Sequence, residues 1–451
     1  MSGLQGFLGK LSDPSSNSDS TNSAAPGRSA AHNVGIKKKP IKGWDDDDDD
    51  DDDGLRGERI TQTATTTTTT TATTSRPPPS SSSPQPSSVP SFPPAPTSQT
   101  PPSPPPRGPL SPLEAKFSKI LDEPNVNLES LKAAAWCGCP ESDRGEVWRL
   151  LLGYSPTNRG RRETVLERKR GEYWKAIEGC GLGSGGDEHD HPGITKTEQV
   201  LLRQILVDLP RTAPSIPLFH HPSIQLLLKR VLYLWSIRNP ACSYVQGLND
   251  LCCPFVWSFL SEHTLSAQSK PITKGIDVTK EIPTTTLQHI ESDTYWCLTG
   301  LLNSIQDHYT PNQPGLQKQV YTLSKIVERT DANLSQHLTS HGVEFIQFAF
   351  KWCNCLLVRE FDVSVICRLW DTHISEGSEG FSVFHVYTCA ALLGKFSEEV
   401  QGIHDFGDLF QFLQGGMKEK TEAWGEEEVA VLCSQAFVLK SLFQNSQAHL
   451  T

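Results

Sequence analysis

The sequence lacks any long hydrophobic run. Its longest nearly apolar stretch, Leu251 to Leu260, is interrupted by Pro254 and Ser258. It falls well short of the ~20 apolar residues that a membrane-spanning helix needs. The start Met1-Ser-Gly-Leu-Gln has neither the apolar run of a secretory signal nor a Gly at position 2 for myristoylation, and the end Ala448-His-Leu-Thr offers no Cys for prenylation. A cytoplasmic protein with no membrane insertion is expected. The 12 cysteines include no C-x-x-C pair, so structural zinc sites and disulfides are not expected and reduced, buried thiols are. His189-Asp-His191, in the Gly-rich stretch from Gly179 to Gly193, lacks further ligands at helical spacing, and no metal is assigned to it.

Residues 1–110 contain no Cys, no Tyr and one Trp, Trp44, while Pro77 to Pro112 hold 16 of the 33 prolines. Such a segment cannot bury enough apolar surface to offset its chain entropy. A disordered, low-complexity tail over residues 1–112 is therefore expected. Within it, Lys37-Lys-Lys39 and Lys42 precede nine aspartates, Asp45 to Asp53, then a threonine tract and a Pro/Ser stretch. A self-repelling solvated spacer, proline-directed phosphorylation at Ser83, Ser103 or Ser111, and docking of Pro-rich segments to a partner's aromatic groove all fit these blocks. The sequence does not separate them.

The formal charge of −11 is uneven: residues 1–110 hold 10 Lys/Arg and 12 Asp/Glu, a balance of −2, and the remaining 341 carry 31 and 40, a balance of −9. Nucleic-acid binding draws most of its affinity from Lys/Arg on phosphates, so an acidic folded part excludes it. The six basic residues between Arg159 and Arg170 are interspersed with Glu163 and Glu167, and read as a solvated helix face.

Residues 113–451 carry all 12 Cys and 9 of the 10 Trp. Apolar residues recur there at helical spacing: Leu113, Phe117, Ile120 and Leu121, then Leu226, Leu227, Val231, Leu234 and Trp235 between Pro222 and Asn239-Pro240. Further helices are expected over 292–305, 317–329, 343–357, 363–372, 383–393 and 429–443. Sustained alternation of strand type is scarce. The expected fold is all-α, a multi-helix domain, with Leu265 to Thr286 as a long surface loop.

Two short segments carry candidate chemistry. Leu201, Leu202, Ile205 and Leu206 form an apolar stripe that must end before Pro210, so Arg211 sits just beyond a helix end. A guanidinium there suits bidentate recognition of phosphate, with Asp208 close enough to orient it; a local Asp208–Arg211 ion pair is the plainer reading. In Tyr244-Val-Gln246-Gly-Leu-Asn249-Asp250, Gly247 permits a tight turn, Asn249 or Asp250 can cap the following helix, and Gln246 offers one acceptor and two donors.

With their flanks these segments resemble the TBC domains, the GTPase-activating domains for Rab GTPases. Gly138-Cys-Pro140 with Arg144-Gly-Glu-Val-Trp148 resembles the first motif, R-x-x-x-W; Ile205, Asp208 and Arg211 the second, I-x-x-D-x-x-R; Tyr244 and Gln246 the third, Y-x-Q. Arg368-Leu-Trp-Asp371, preceded by Arg359-Glu-Phe361, resembles the family's R-L-W-D stretch. The resemblance covers about Gly138 to Gly394, and details such as Pro210-Arg211-Thr212 are similar to the branch called TBC domain family member twenty-two.

The resemblance implies a two-subdomain helical fold and activation of a GTP-bound Rab GTPase at a trafficking membrane such as the Golgi. Arg211 would be an arginine finger and Gln246 a glutamine finger. Asp208, Tyr244 and Gly247 would support the fingers, Asn249 and Asp250 would serve as caps or rim contacts, and Arg144 and Trp148 would hold the subdomain together. Trp370 would be core, with charges pairing around it. GTP and Mg²⁺ would come with the partner, leaving this chain without a cofactor of its own. A different class fits the same residues, a non-catalytic Rab-binding or adaptor scaffold.

Overall fold

The computed structural model describes residues 110–182, 195–268 and 270–444. The expectations for the tail up to residue 109, including Ser83 and Ser103, and for His189 and His191 lie outside these residues. No β-strand forms among the described residues; a lone bridge joins Asn125 and Asn158. The chain opens with α1 (Pro112–Leu121), α2 (Leu128–Ala135), α3 (Arg144–Leu151) and α4 (Arg159–Gly179). Then come α5 (Lys196–Asp208), a 3-10 turn over Leu209–Arg211, α6 (Pro222–Arg238), α7 (Leu248–Gln268), α8 (Val278–Glu281) and α9 (Thr284–Asn303). A second set follows: α10 (Pro314–Thr330), α11 (Ala332–Ser340), α12 (Phe345–Asn354), α13 (Val363–Ser375) and α14 (His385–Lys395). It ends with α15 (Ser397–Gln401), α16 (Phe406–Gln411), α17 (Met417–Thr421) and α18 (Glu426–Phe443).

Local chemistry sets several boundaries. Ser111 is the N-cap of α1: its Oγ accepts from Glu114 N (3.2 Å) while Glu114 Oε2 accepts from Ser111 N (2.7 Å), and Pro112 occupies the first helical turn. Thr195 and Glu198 form the same reciprocal box at α5. Each such cap is worth about 1 kcal/mol. Pro222 opens α6 where its missing N–H costs nothing, and the helix closes at Asn239 as expected.

The interrupted apolar run becomes the inner part of α7, with every residue from Leu251 to Leu260 buried. A helix apolar on all sides belongs inside a protein or a bilayer, and here helices cover it. It packs against α9, α6, α3 and α13. Among the described residues no helix is long and apolar enough to cross a membrane. Helix α13 links the two sets, packing on α2, α3 and α7 on one side and on α18 on the other, so one hydrophobic core runs through both.

Two expectations fail. The six basic residues from Arg159 to Arg170 do not form one solvated face. Arg162 is buried against Glu146, Arg170 grips Asp293 through Nε and a terminal nitrogen (both 2.8 Å), and Lys169 lies over the rings of Tyr154 (5.5 Å) and Trp296 (5.4 Å). Only Arg159, Arg161 and Arg168 remain exposed. Carboxylates from other helices, half-buried Glu146 and buried Asp293, draw in Arg162 and Arg170, since an uncompensated charge inside would cost several kcal/mol. Nor is 265–286 a loose loop. It starts with the end of α7, contains α8, runs into α9, and is pinned by buried Ile272, Ile276, Val278 and Ile282.

Candidate functional site

Arg211 closes the 3-10 turn after α5, and Gln246 lies in the segment that leads into α7; both side chains are exposed. Neither the guanidinium nor the carboxamide has a hydrogen bond or ion pair among the described residues. The residues beside them behave oppositely. The Tyr244 hydroxyl donates to Asp208 Oδ2 (2.9 Å), and Asn249 Nδ2 donates to Thr212 Oγ1 (2.9 Å). Thr212 Oγ1 in turn donates to the Asp208 carbonyl (3.2 Å). Asp208 and Thr212 bracket Arg211 while Tyr244 and Asn249 bracket Gln246, so two buried bonds join the loops on either side of the exposed pair.

Burial, together with the Asp208 carboxylate beside it, pushes the Tyr244 hydroxyl well above its ordinary value. Tyr244 therefore remains a proton donor to Asp208 across the physiological range. Asp208 is engaged by Tyr244 and not by Arg211, which corrects the expectation that it orients the guanidinium directly. Its carboxylate faces the second loop, and Arg211 is left unpaired among the described residues.

The Gln246 loop is braced from behind. Gly247 has φ +108, and a Cβ there would come within 2.5 Å of Asn354 Nδ2. That close approach lets Asn354 Nδ2 donate to the Gln246 carbonyl (2.8 Å). Asn249 Oδ1 accepts from Gly247 N (3.2 Å), and Arg359 Nε donates to Asp250 Oδ2 (2.7 Å). Burial pushes the Asp250 carboxyl up, and Arg359 only partly offsets this. Asn249 and Asp250 are 0% and 2% exposed, so they are internal ties and neither is a rim contact. Just before Arg359, Leu356 (φ 47) and Leu357 (φ 62) adopt left-handed backbone while fully buried. Two consecutive residues in that region cost of order 1–3 kcal/mol each and persist only where packing imposes them. The bend turns the chain so that Asn354 and Arg359 both reach the Gln246 loop. Asn354 carries no motif signal of its own and becomes visible only through these contacts.

Arg144 and Trp148 join a second buried cluster. Arg144 Nε donates to Asp371 Oδ1 (3.0 Å), Trp148 Nε1 donates to the same oxygen (2.8 Å), and Cys139 N donates to Asp371 Oδ2 (2.9 Å). Another Arg144 nitrogen donates to the Cys139 carbonyl (3.0 Å). Burial works against the Arg144 charge, yet Asp371 more than offsets it and leaves Arg144 above its ordinary value. Trp148, Phe255 and Trp370 pack around this knot, with ring centroids 5.5–6.2 Å apart. At Gly138 (φ +111) a Cβ would fall 2.6 Å from Arg368 Nε, so that side chain lies directly on the turn before α3.

The Rab-GTPase-TBC domain model matches residues 141–401. The chain is 45% identical over 335 residues to the GTPase-activating protein gyp1 of Schizosaccharomyces pombe and 42% identical over 334 residues to human TBC1 domain family member 22B. Each match covers 74% of this chain but 62% of the relative, so the chain spans less than two thirds of these relatives' length. The crystal structure of the Ypt/Rab-GAP domain of Gyp1p superposes with a TM-score of 0.65 at 39% identity, over 73% of this chain and 98% of that one. By sequence and by fold, the chain belongs to the Rab-GTPase-TBC domain family, on the side of its member-22 branch.

Proposed function

We propose that this chain is a GTPase-activating protein for a Rab-family GTPase, inserting Arg211 and Gln246 into the partner's nucleotide site. The observation that carries the reading is the contrast at the site: two exposed side chains without partners among the described residues stand on loops where Asp208, Thr212, Tyr244 and Asn249 are buried and bonded to one another.

GTP hydrolysis passes through a loose transition state with charge spread over the phosphoryl oxygens, so catalysis is mostly positioning and electrostatic stabilisation. The planar Arg211 guanidinium would meet that charge bidentately. An arginine supplied in trans is worth about 10³–10⁵ in rate, or roughly 4–7 kcal/mol. The Gln246 carboxamide, a donor and an acceptor in one group, would orient the attacking water. The substrate is the GTP-bound partner, which brings its own nucleotide and Mg²⁺; this chain contributes side chains alone. Recruitment to a trafficking membrane would run through the partner or the tail.

Single-turnover hydrolysis with a panel of GTP-loaded Rabs tests this. Arg211→Ala and Gln246→Ala should each slow hydrolysis while partner binding persists. If neither change slows it and binding is intact, the chain is a scaffold and the proposal fails.

A further inference from the structure

The geometry points to a divalent transition-metal site, of the zinc type, on the C-terminal half: His337, His341 and His404. His337 lies on α11 and His341 caps its end, four residues on and therefore on the same face. His404 comes from the turn between α15 and α16. One ring nitrogen from each lies within 4.8 Å of the other two. The rings gather closely, with centroids 4.2 Å apart for His337–His341, 5.7 Å for His337–His404 and 5.8 Å for His341–His404.

The bonds around the cluster prepare it for a metal. His337 Nε2 lies 2.9 Å from the Ile403 carbonyl, and His341 Nδ1 lies 2.8 Å from the His337 carbonyl. A carbonyl can only accept, so each ring donates through that nitrogen, and the neutral imidazole keeps its other nitrogen as a lone-pair donor. Anchoring one nitrogen on a backbone carbonyl is how metal-binding histidines are held in orientation. The same Ile403 carbonyl precedes His404 and ties its turn to α11. Tetrahedral Zn–N bonds of about 2.0–2.1 Å place ligand nitrogens about 3.4 Å apart, and the three rings already bring one nitrogen each within 4.8 Å, so closing the site takes a side-chain movement. His404 is exposed and His337 and His341 are half-buried, so side-chain rotation can supply that movement. Three imidazoles with an open fourth position suit Zn²⁺ with a bound water.

A second cluster, Cys353, His385 and Cys389, is wholly buried. Its His385 Nε2, the nitrogen that faces Cys389 Sγ (3.6 Å), is already taken by the Trp352 carbonyl (3.1 Å), and burial pushes the Cys389 thiol up, against the thiolate a metal requires. It reads as core packing.

The test uses the full chain without a histidine tag, stripped by chelator and titrated with Zn²⁺ by calorimetry and with Co²⁺ by absorption. Wild type should bind Zn²⁺ in a step that His404→Gln and His341→Gln each remove or weaken at least roughly tenfold. The Co²⁺ complex should lack thiolate charge-transfer bands. Zn²⁺ should also raise the thermal midpoint of wild type but not of His404→Gln, because a metal that binds only the folded chain stabilises it. Absence of Zn²⁺ binding in wild type, binding unchanged in both variants, or a thiolate band that survives them would overturn the proposal. His404 is exposed, so loss of fold does not confound that variant.

Discussion

Arg144 and Arg211 are both motif arginines, and their physical situations are opposite. Arg144 is 6% exposed, with its charge met by Asp371 and a carbonyl. Arg211 is exposed and bonds to nothing among the described residues. A buried, fully satisfied guanidinium holds helices together, whereas an exposed one with free donors remains available to another molecule. The comparison separates architecture from chemistry within one set of motifs.

The largest effect that would break this contrast is kinetic. Arg211→Ala should lower stimulated single-turnover hydrolysis by about 10³–10⁵ while leaving the urea midpoint unchanged. A loss of stability in that variant would mean that Arg211 is structural. Conversely, Arg144→Ala strands the Asp371 carboxylate inside the core and should destabilise the fold by about 3–5 kcal/mol in urea denaturation. An Arg144→Ala protein of normal stability that had lost only activity would erase the distinction.

Two smaller effects sharpen it. Tyr244→Phe removes the donor to buried Asp208 and should cost about 1–3 kcal/mol. It should also reduce the hydrolysis rate more than partner affinity, because it loosens the tie between the loops. A rate equal to wild type would show that the tie does not position the fingers. The last test concerns pH. Burial lowers His308 and His373 to about 4, from an ordinary 6.5. Above 6.5 both folded and unfolded chains hold these rings neutral; between 6.5 and 4 the unfolded chain binds protons that the native one does not. The contribution of these two rings to stability should therefore fall as pH drops through that window, by on the order of 3 kcal/mol for each ring. His373→Gln should reduce the slope, read from urea midpoints at successive pH values, without altering the activity of the exposed pair at neutral pH.

Much of the helical layout was legible in the sequence, because caps and prolines act locally. Pro222 and Asn239-Pro240 mark ends that the chain obeys, whereas Ser111 and Pro112, expected to close the disordered tail, instead cap and open α1. The positions of Arg211 and Gln246, after a proline-stopped helix and before a glycine turn, were legible for the same reason. Polar residues whose partners lie far along the chain were not. Asp250 meets Arg359, Asn249 meets Thr212, and Arg170 meets Asp293, so a reading by neighbours places them at the surface when tertiary contacts put them inside. The anchors of the 265–286 segment escaped because Ile272, Ile276, Val278 and Ile282 follow neither a helical nor a strand period. The three-imidazole cluster was hidden because His404 follows His341 only after 62 intervening residues.

The cross-links between Asp208 and Tyr244 and between Thr212 and Asn249 have one more consequence. The gap separating the two tips is set by atoms no docking molecule reaches, and neither tip can shift without dragging its sister. The surrounding outer surface is thus at liberty to change its shape and charge while the reach of the paired tips stays constant.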